Sequence, residues 1–386
     1  MHVTGSLVER CGHYTVILKY KDASDKRRQK WITTGIPTKN GKRKAEKRMA
    51  ELIAEYSDAP MTEPSKMLLC DFIKDWVEVS EGRLSPPTYT SYESMLNKHI
   101  YPYFKEAKVL LINVTTDIIQ KYYNSKLKDG LSSNSVLHHH ELIRAAMQHA
   151  VKPPNRLIKA NPCDDASKPK RTKYYGEFYT AEELQSLLSV ARGEPIEVPI
   201  FLAAYFGLRR SEVLGLRWNA LDLSGGMLKV KHKAVRAKKD GKMAIHTTDK
   251  LKTEASYRVL PLEQSLIDYL AKVKQRQGDN RKRNGDCHIH KYDDYVCVNE
   301  LGDLIKPDYV TDKFGKILRQ NELKHIRFQD LRHSCASLLL SLGYSMKEVQ
   351  EWLGHSNYLT TANLYSHVDP RNKKSMIVGL ADALGN

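Results

Sequence analysis

No Cys-x-x-Cys pair occurs in the 386 residues, and the six cysteines, Cys11, Cys70, Cys163, Cys287, Cys297 and Cys335, are scattered. That pattern excludes a disulfide frame and a zinc ribbon, and points to a reducing, cytoplasmic setting. No apolar run approaches the roughly 18 residues that span a bilayer. The opening stretch, MHVTGSLVERCGHY, lacks the apolar centre of a signal peptide, so no membrane partner is expected. Nor is there a P-loop, or a carboxylate cluster of the kind two-metal nucleases use. His138, His139 and His140 run together, but consecutive helical side chains point about 100° apart and three in a row cannot face one ion. They read as a polar or DNA-facing helix surface. Cys287, His288, His290 and Cys297 lack zinc-motif spacing. No metal and no cofactor are expected.

What the chain has in excess is positive charge. Lys and Arg number 62 against 45 Asp and Glu, a formal net charge of +17, and the pI is near 9.4. The basic residues are spread over several folded segments, which points to nucleic acid before membrane. A mean hydropathy of −0.53 fits a soluble globular protein, and the length suits more than one domain.

Residues 1–58 read as a small α+β module. Tyr14, Val16, Leu18 and Tyr20 alternate with Thr15, Ile17 and Lys19, which is strand periodicity, and RRQKWITTGI follows as a second extended stretch. A helix then places Ala45, Met49, Leu52, Ile53 and Tyr56 on one face. Between Lys19 and Arg48 stand twelve Lys or Arg against three acidic residues. Lys26, Arg27, Arg28 and Lys30 in the turn and second strand are the candidate DNA contacts, since a β-ribbon can enter a major groove. Beyond the Pro-rich SDAPMTEPS, residues 66–160 read as all-α, in four helices marked by Leu69 to Val77, Tyr89 to Ile100, Ile119 to Leu127 and Val136 to Ala150. Residues 161–178 form a basic linker whose Lys170 and Arg171 suit phosphates. At Thr180 a capping box with Glu183 opens a further domain, residues 179–386.

That domain carries the chemistry. FGLRRSEVLGLRW places Arg209 at a turn, with Ser211 and Glu212 opening the helix that follows. A β region then alternates through MLKVKHKAVRA and returns through SYRVLPL, with Lys252 in the intervening KLKTEAS. One helix runs from about Asp330 to Gly343, with Arg332 and His333 in its first turn. Another opens on the Ser345–Glu348 capping box and stops at Gly354, followed by His355, and Tyr365 lies ten residues on. An arginine fork fits phosphate oxygens and keeps its charge. A phenol, with an ordinary pKa of about 10, needs an electropositive pocket to attack phosphorus.

Taken together, GLRxSE, KTxxSxR, LGH and TTxxYSH resemble the boxes of the tyrosine recombinases, and the chain is most similar to conjugative-transposon integrases of the phage type. The resemblance covers residues 60–370. It implies a multidomain α+β protein: a three-stranded sheet with a helix that binds arm-type DNA, an all-α core-binding domain, and a mainly α catalytic domain with a small antiparallel sheet. It makes Tyr365 the nucleophile, Arg209 and Arg332 the catalytic arginines, His355 the histidine of the LGH turn and Lys252 the general acid. Arg210 stands where the motif is usually apolar, and spacing favours Arg209. Gln329 stands where the family has histidine in H-x-L-R-H. A glutamine amide donates a hydrogen bond to phosphate but takes no proton. The implied partners are double-stranded DNA with core and arm sites, further copies of the chain in a tetrameric synaptic complex, and an excisionase or DNA-bending accessory protein. The function implied is integration and excision of a mobile element through a 3′-phosphotyrosyl intermediate. A type IB topoisomerase shares this chemistry, and a DNA-binding accessory factor with impaired catalysis is the alternative that Gln329 raises. In the resembling enzymes the segment past the nucleophile often docks on a neighbouring protomer, and the apolar stripe Met376, Ile377, Leu380, Ala383 and Leu384 must dock either there or back on its own domain.

Overall fold

In the computed structural model the N-terminal alternation becomes three antiparallel strands, β1 (Thr4–Arg10), β2 (His13–Lys21) and β3 (Arg27–Pro37), in the order β1-β2-β3. The structure describes residues 3–21, 27–57, 67–152, 157–172, 176–239, 241–249 and 256–356. They fall into two units, Met1–Lys173 and Tyr174–Asn386. In the first unit Val16 and Leu18 of the central strand are fully buried against α1 (Lys42–Ser57), which supplies Ala45, Met49, Leu52 and Ile53. Val16 and Leu18 each contribute about 2 kcal/mol by leaving water. The other face carries Trp31, half exposed on β3 and paired in register with Ile17.

The helical part comprises α2 (Leu69–Val79), α3 (Pro86–Met95), α4 (Tyr101–Glu106), α5 (Thr116–Lys128) and α6 (Ser133–Val151). A π-helical turn, Leu96–Ile100, joins α3 to α4. Pro102 offers no N–H to the preceding turn, and the wider turn absorbs that loss without ending the rod. Thr115 caps α5 and Ser132 caps α6, each accepting a backbone N–H at its helix start.

Two expectations are corrected here. His139 and His140 are not a polar or DNA-facing surface: both are buried, and only His138 is exposed, beside Glu141. The hydroxyls of Tyr122 and Tyr123 on α5 pair with their Nδ1 atoms at 2.9 and 2.8 Å. Those bonds let the imidazoles enter the core. The linker also begins later than residue 161. Cys163 is fully buried among the helices, the Thr116 hydroxyl donates to the Pro162 carbonyl, and Asn161 donates to the Arg144 carbonyl. The helical core therefore reaches Ala166, whose small side chain closes it.

The second unit opens with the Thr180–Glu183 capping box on α7 (Ala181–Val190). The apolar α8 (Glu197–Phe206) is central, and α9 (Arg210–Gly215) follows it. The strands divide between two sheets. β4 (Leu221–Asp222), β5 (Met227–Val230) and β8 (Arg258–Pro261) form one, and β6 (Lys233–Lys239) with β7 (Lys242–Thr248) forms a two-stranded ribbon. MLKVKHKAVRA thus breaks between β5 and β6, where His232 turns inward to the Asp249 carboxylate at 2.5 Å. Then come α10 (Gln264–Asn284), α11 (Pro307–Gln320), α12 (Asp330–Ser341) and α13 (Met346–Leu353). α12 packs on α8 and α13, and α13 also meets β8. No helix among the described residues is long and apolar enough to cross a membrane.

Candidate active site

The site is assembled at the end of α13. Gly207 ends α8 with φ 60°, and a Cβ there would stand 2.4 Å from Leu353 Cδ2 of α13. Only glycine permits that approach in that conformation. Two residues later Arg209 precedes α9. Glu212, in the first turn, accepts the Arg209 backbone N–H at 3.0 Å and its guanidinium at 2.6 Å. The next residue, Arg210, faces α11 instead, donating to the Pro307 carbonyl at 3.2 Å and to the Thr311 hydroxyl. Of the two neighbours, Arg209 is the one that joins the cluster.

α12 brings Arg332 from below. Asp330 at its start is fully buried and accepts three bonds from Arg327. Two residues further on, still in the first turn, buried Arg332 donates NH1 to the Gly207 carbonyl at 2.7 Å and Nε to His355 Nε2 at 3.2 Å. α13 itself starts on the Ser345–Glu348 capping box and ends at Gly354, φ 67°. Three successive carbonyls at this end each accept from a different arginine. Trp352 takes Arg258 Nε at 2.8 Å, Leu353 takes Arg332 NH2 at 2.5 Å, and Gly354 takes Arg209 NH2 at 3.1 Å. A helix C-terminus carries about half a negative charge and leaves its last carbonyls without intrahelical donors. It is thus a template for gathering guanidinium groups that would otherwise repel.

The local charges set the protonation states. Burial alone would raise the Glu212 carboxyl, but Arg258 and then Arg209 outweigh it and hold it below the usual range. Arg258 NH2 lies 3.1 Å from the second Glu212 oxygen, and both side chains are nearly buried. Burial, with Arg209 beside it, pushes Arg332 down to about 9, so it stays a cation at neutral pH. Burial and the neighbouring arginines push His355 down to about 3. The imidazole is therefore neutral, and accepting from Arg332 at Nε2 places its proton on Nδ1. Behind the cluster, burial raises the Cys335 thiol to about 12 and keeps it protonated.

A groove of about 520 Å³ opens over this end of α13, lined by Tyr257, Arg258, Glu351, Trp352, Gly354 and His355 among others. A larger cavity of about 680 Å³, between α10, α11 and residues 296–306, shares no residue with the arginine cluster. His288 and His290 do converge, but on Asp293 and without the two cysteines. That carboxylate shares bonds with both imidazoles at 2.7 and 3.0 Å and pairs with Arg281 at 3.1 Å. Those contacts account for the cluster as a hydrogen-bonded knot.

The profile described as Phage integrase family matches residues 177–372, and that of the phage integrase N-terminal SAM-like domain matches residues 68–127. The first spans half of the chain. This protein belongs to the phage integrase family. A tyrosine recombinase XerC-like protein of Caldanaerobacter subterraneus is 27% identical over 88% of this chain and 90% of its own length. The ICEBs1 integrase of Bacillus subtilis is 25% identical over 90% of this chain and 92% of its own. The fold agrees with solved structures. The Tn1549 transposon integrase in complex with a circular-intermediate DNA is 19% identical, with a TM-score of 0.64 over 82% of this chain and 100% of that one. A lambda integrase tetramer bound to a Holliday junction is 17% identical, with a TM-score of 0.56 over 93% and 94%. The activity is site-specific DNA recombination of the tyrosine type.

Within this phage-integrase domain the structure brings together Arg209, Arg332 and His355. Gln329, just before α12, is exposed and bonds to nothing by its side chain among the described residues. Lys252 and Tyr365 lie outside the described residues, as does the apolar stripe from Met376 to Leu384. Of the DNA-contact candidates, Arg27 and Lys30 are exposed on β3, and Lys170 and Arg171 are exposed after the helical core. Lys26 and the Arg28 side chain lie outside the described residues. Sequence reading passed over two members of the cluster. Glu212 was legible only as a helix start, and Arg258 only as a flank of the lysine box.

Proposed function

We propose that this recombinase moves a mobile element into and out of a DNA site, with Tyr365 attacking a backbone phosphate. The attack forms a 3′-phosphotyrosyl bond and releases a 5′ oxygen, which Lys252 protonates as it leaves. Arg209 and Arg332 hold the phosphoryl oxygens, with His355 and Gln329 donating alongside. The second strand's 5′-hydroxyl then attacks the phosphotyrosine, so the bond energy is retained and no nucleotide is consumed.

One observation carries this reading: three arginines share the end of one helix with a single carboxylate. Three positive charges against one carboxylate and about half a helix charge leave an excess of about +1.5. A phosphodiester brings one negative charge and its pentacoordinate transition state brings two, so the excess grows in value as the reaction proceeds. Neutral His355 has an Nδ1–H to donate there, and its pKa rises once a phosphate offsets the arginines.

The partners follow the relatives. The transposon integrase was solved on circular-intermediate DNA and lambda integrase as a tetramer on a Holliday junction. We infer duplex DNA for this chain too, gripped at a core site by the helical and catalytic domains and at arm sites by the N-terminal sheet. Four copies would then exchange strands in one synaptic complex, with an excisionase or a DNA-bending protein directing the outcome.

The test is a nicked duplex copied from the DNA bordering the reading frame. Incubation should give a covalent protein–DNA complex and, with a second site, a joined product. Relaxation of supercoils without joining would indicate a topoisomerase, and a mobility shift alone an inert binder.

A further inference from the structure

Arg258 lines the groove at the end of α13, but its guanidinium is nearly buried and is taken up by acceptors of the protein itself. Its side chain is 6% exposed, and its three nitrogens are all engaged: Nε with the Trp352 carbonyl, NH1 with the Ser256 carbonyl at 3.1 Å, NH2 with Glu212. A buried ion pair is weak as a stabilising device, because an apolar pair of similar volume serves as well or better. What this pair does is geometric. Glu212 is the carboxylate that holds the Arg209 guanidinium and backbone, and Trp352 is the first of the three carbonyls that receive the arginines. Arg258 sits on β8, paired in register with Val230. It therefore ties the sheet simultaneously to the start of α9 and to the end of α13.

We infer that Arg258 is a positioning residue for strand cleavage: it fixes the spacing between Arg209 and the end of α13 that carries His355, without touching the phosphate. This rests on the proposed phosphate-holding role of Arg209. A lysine at 258 keeps the charge but can reach Glu212 or the Trp352 carbonyl, not both in the planar fork that arginine offers. Arg209 then loses its register with the reacting phosphate, and misplacement by about 1 Å costs on the order of 100-fold in rate. DNA affinity, spread over many backbone contacts, stays near its starting value.

The experiment uses the full chain and two nicked duplexes copied from the DNA bordering the reading frame. One has an ordinary scissile phosphate, and the other a methylphosphonate there, which lacks one negative oxygen. Single-turnover formation of covalent complex is measured for Arg258→Lys, Arg258→Met and Arg209→Ala, with DNA binding measured in parallel. On ordinary DNA Arg258→Lys should cleave about 100-fold more slowly with binding little changed. On the neutral centre, which needs less cationic stabilisation, most of that deficit should vanish, as it should for Arg209→Ala. If Arg209→Ala is rescued and Arg258→Lys is equally slow on both duplexes, or is not slowed at all, the inference is overturned. Loss of binding in step with rate overturns it as well. If Arg209→Ala itself shows no rescue, the phosphate-holding role of Arg209 fails, and the positioning of that arginine fails with it. Should Arg258→Met not fold, Arg258→Lys, which keeps the buried cation, decides the matter alone.

Discussion

At the scale of single residues, the buried carboxylate of Glu212 is the point on which the cluster turns. It faces two guanidinium groups from inside the protein, and removing one partner of such an arrangement leaves like charges unopposed. Glu212→Gln should lower unfolding free energy by about 3 kcal/mol, read from urea denaturation of the catalytic unit. A loss within ~0.5 kcal/mol, the ordinary range for a surface change, would show that the helix end alone suffices to hold the arginines. This residue also shows where reading a sequence stops. Arg209, Arg332 and His355 were legible because their neighbours in the chain form recognisable boxes. The acceptors at Trp352, Leu353 and Gly354 are backbone carbonyls, which any side chain would supply. Nothing in the letters marks them, and without them Arg258 reads as an ordinary strand residue.

At the scale of elements, α8 and α13 meet at Gly207, and α5 and α6 meet through two tyrosine–histidine pairs. Gly207→Ala places a Cβ against Leu353 and requires a left-handed φ of a residue that resists it. It should cost about 1–3 kcal/mol and shift the Gly207 carbonyl from Arg332, so cleavage should fall together with thermal stability. Unchanged melting and cleavage would contradict the close approach of the two helices. In the helical unit, burial first, then His99 and Lys126, pushes His139 down to about 4, and burial lowers His140 as well. In the unfolded chain both titrate near 6.5. As pH falls the unfolded state takes up protons first. The stabilisation is thus complete above about 6.5 and is lost progressively toward about 4. Denaturation of residues 67–172 at several pH values should show that slope, and His139→Gln with His140→Gln should flatten it. An equal slope in the double variant would assign the acid sensitivity elsewhere. The triple histidine misled because 17 residues separate each tyrosine from its imidazole, a distance that helical periodicity within one segment does not bridge.

At the scale of the whole molecule, the order of modules was legible: strand alternation, four helical stripes, then a domain opened by a capping box. Their edges were less so. Cys163 and Ala166 look like loop residues in a Lys-rich stretch, yet they complete the helical core, because small side chains fill whatever space the larger aromatics leave. The net charge of +17 belongs to this scale too. Binding to DNA should weaken steeply with salt, and deleting residues 1–58 should flatten that dependence by removing basic side chains that displace counterions. An identical salt slope would make the N-terminal sheet scaffold and not a DNA contact. The expectations about cleavage depend on one covalent event. The direct measurement is to trap the protein on a nicked duplex copied from the DNA bordering the reading frame, digest the complex, and identify by mass spectrometry the residue that carries the nucleotide. A single tyrosine, Tyr365, should be found linked to a 3′-phosphate with a free 5′-hydroxyl on the departing strand, and Tyr365→Phe should give no covalent complex. Attachment at another residue, or undiminished complex from Tyr365→Phe, would contradict it.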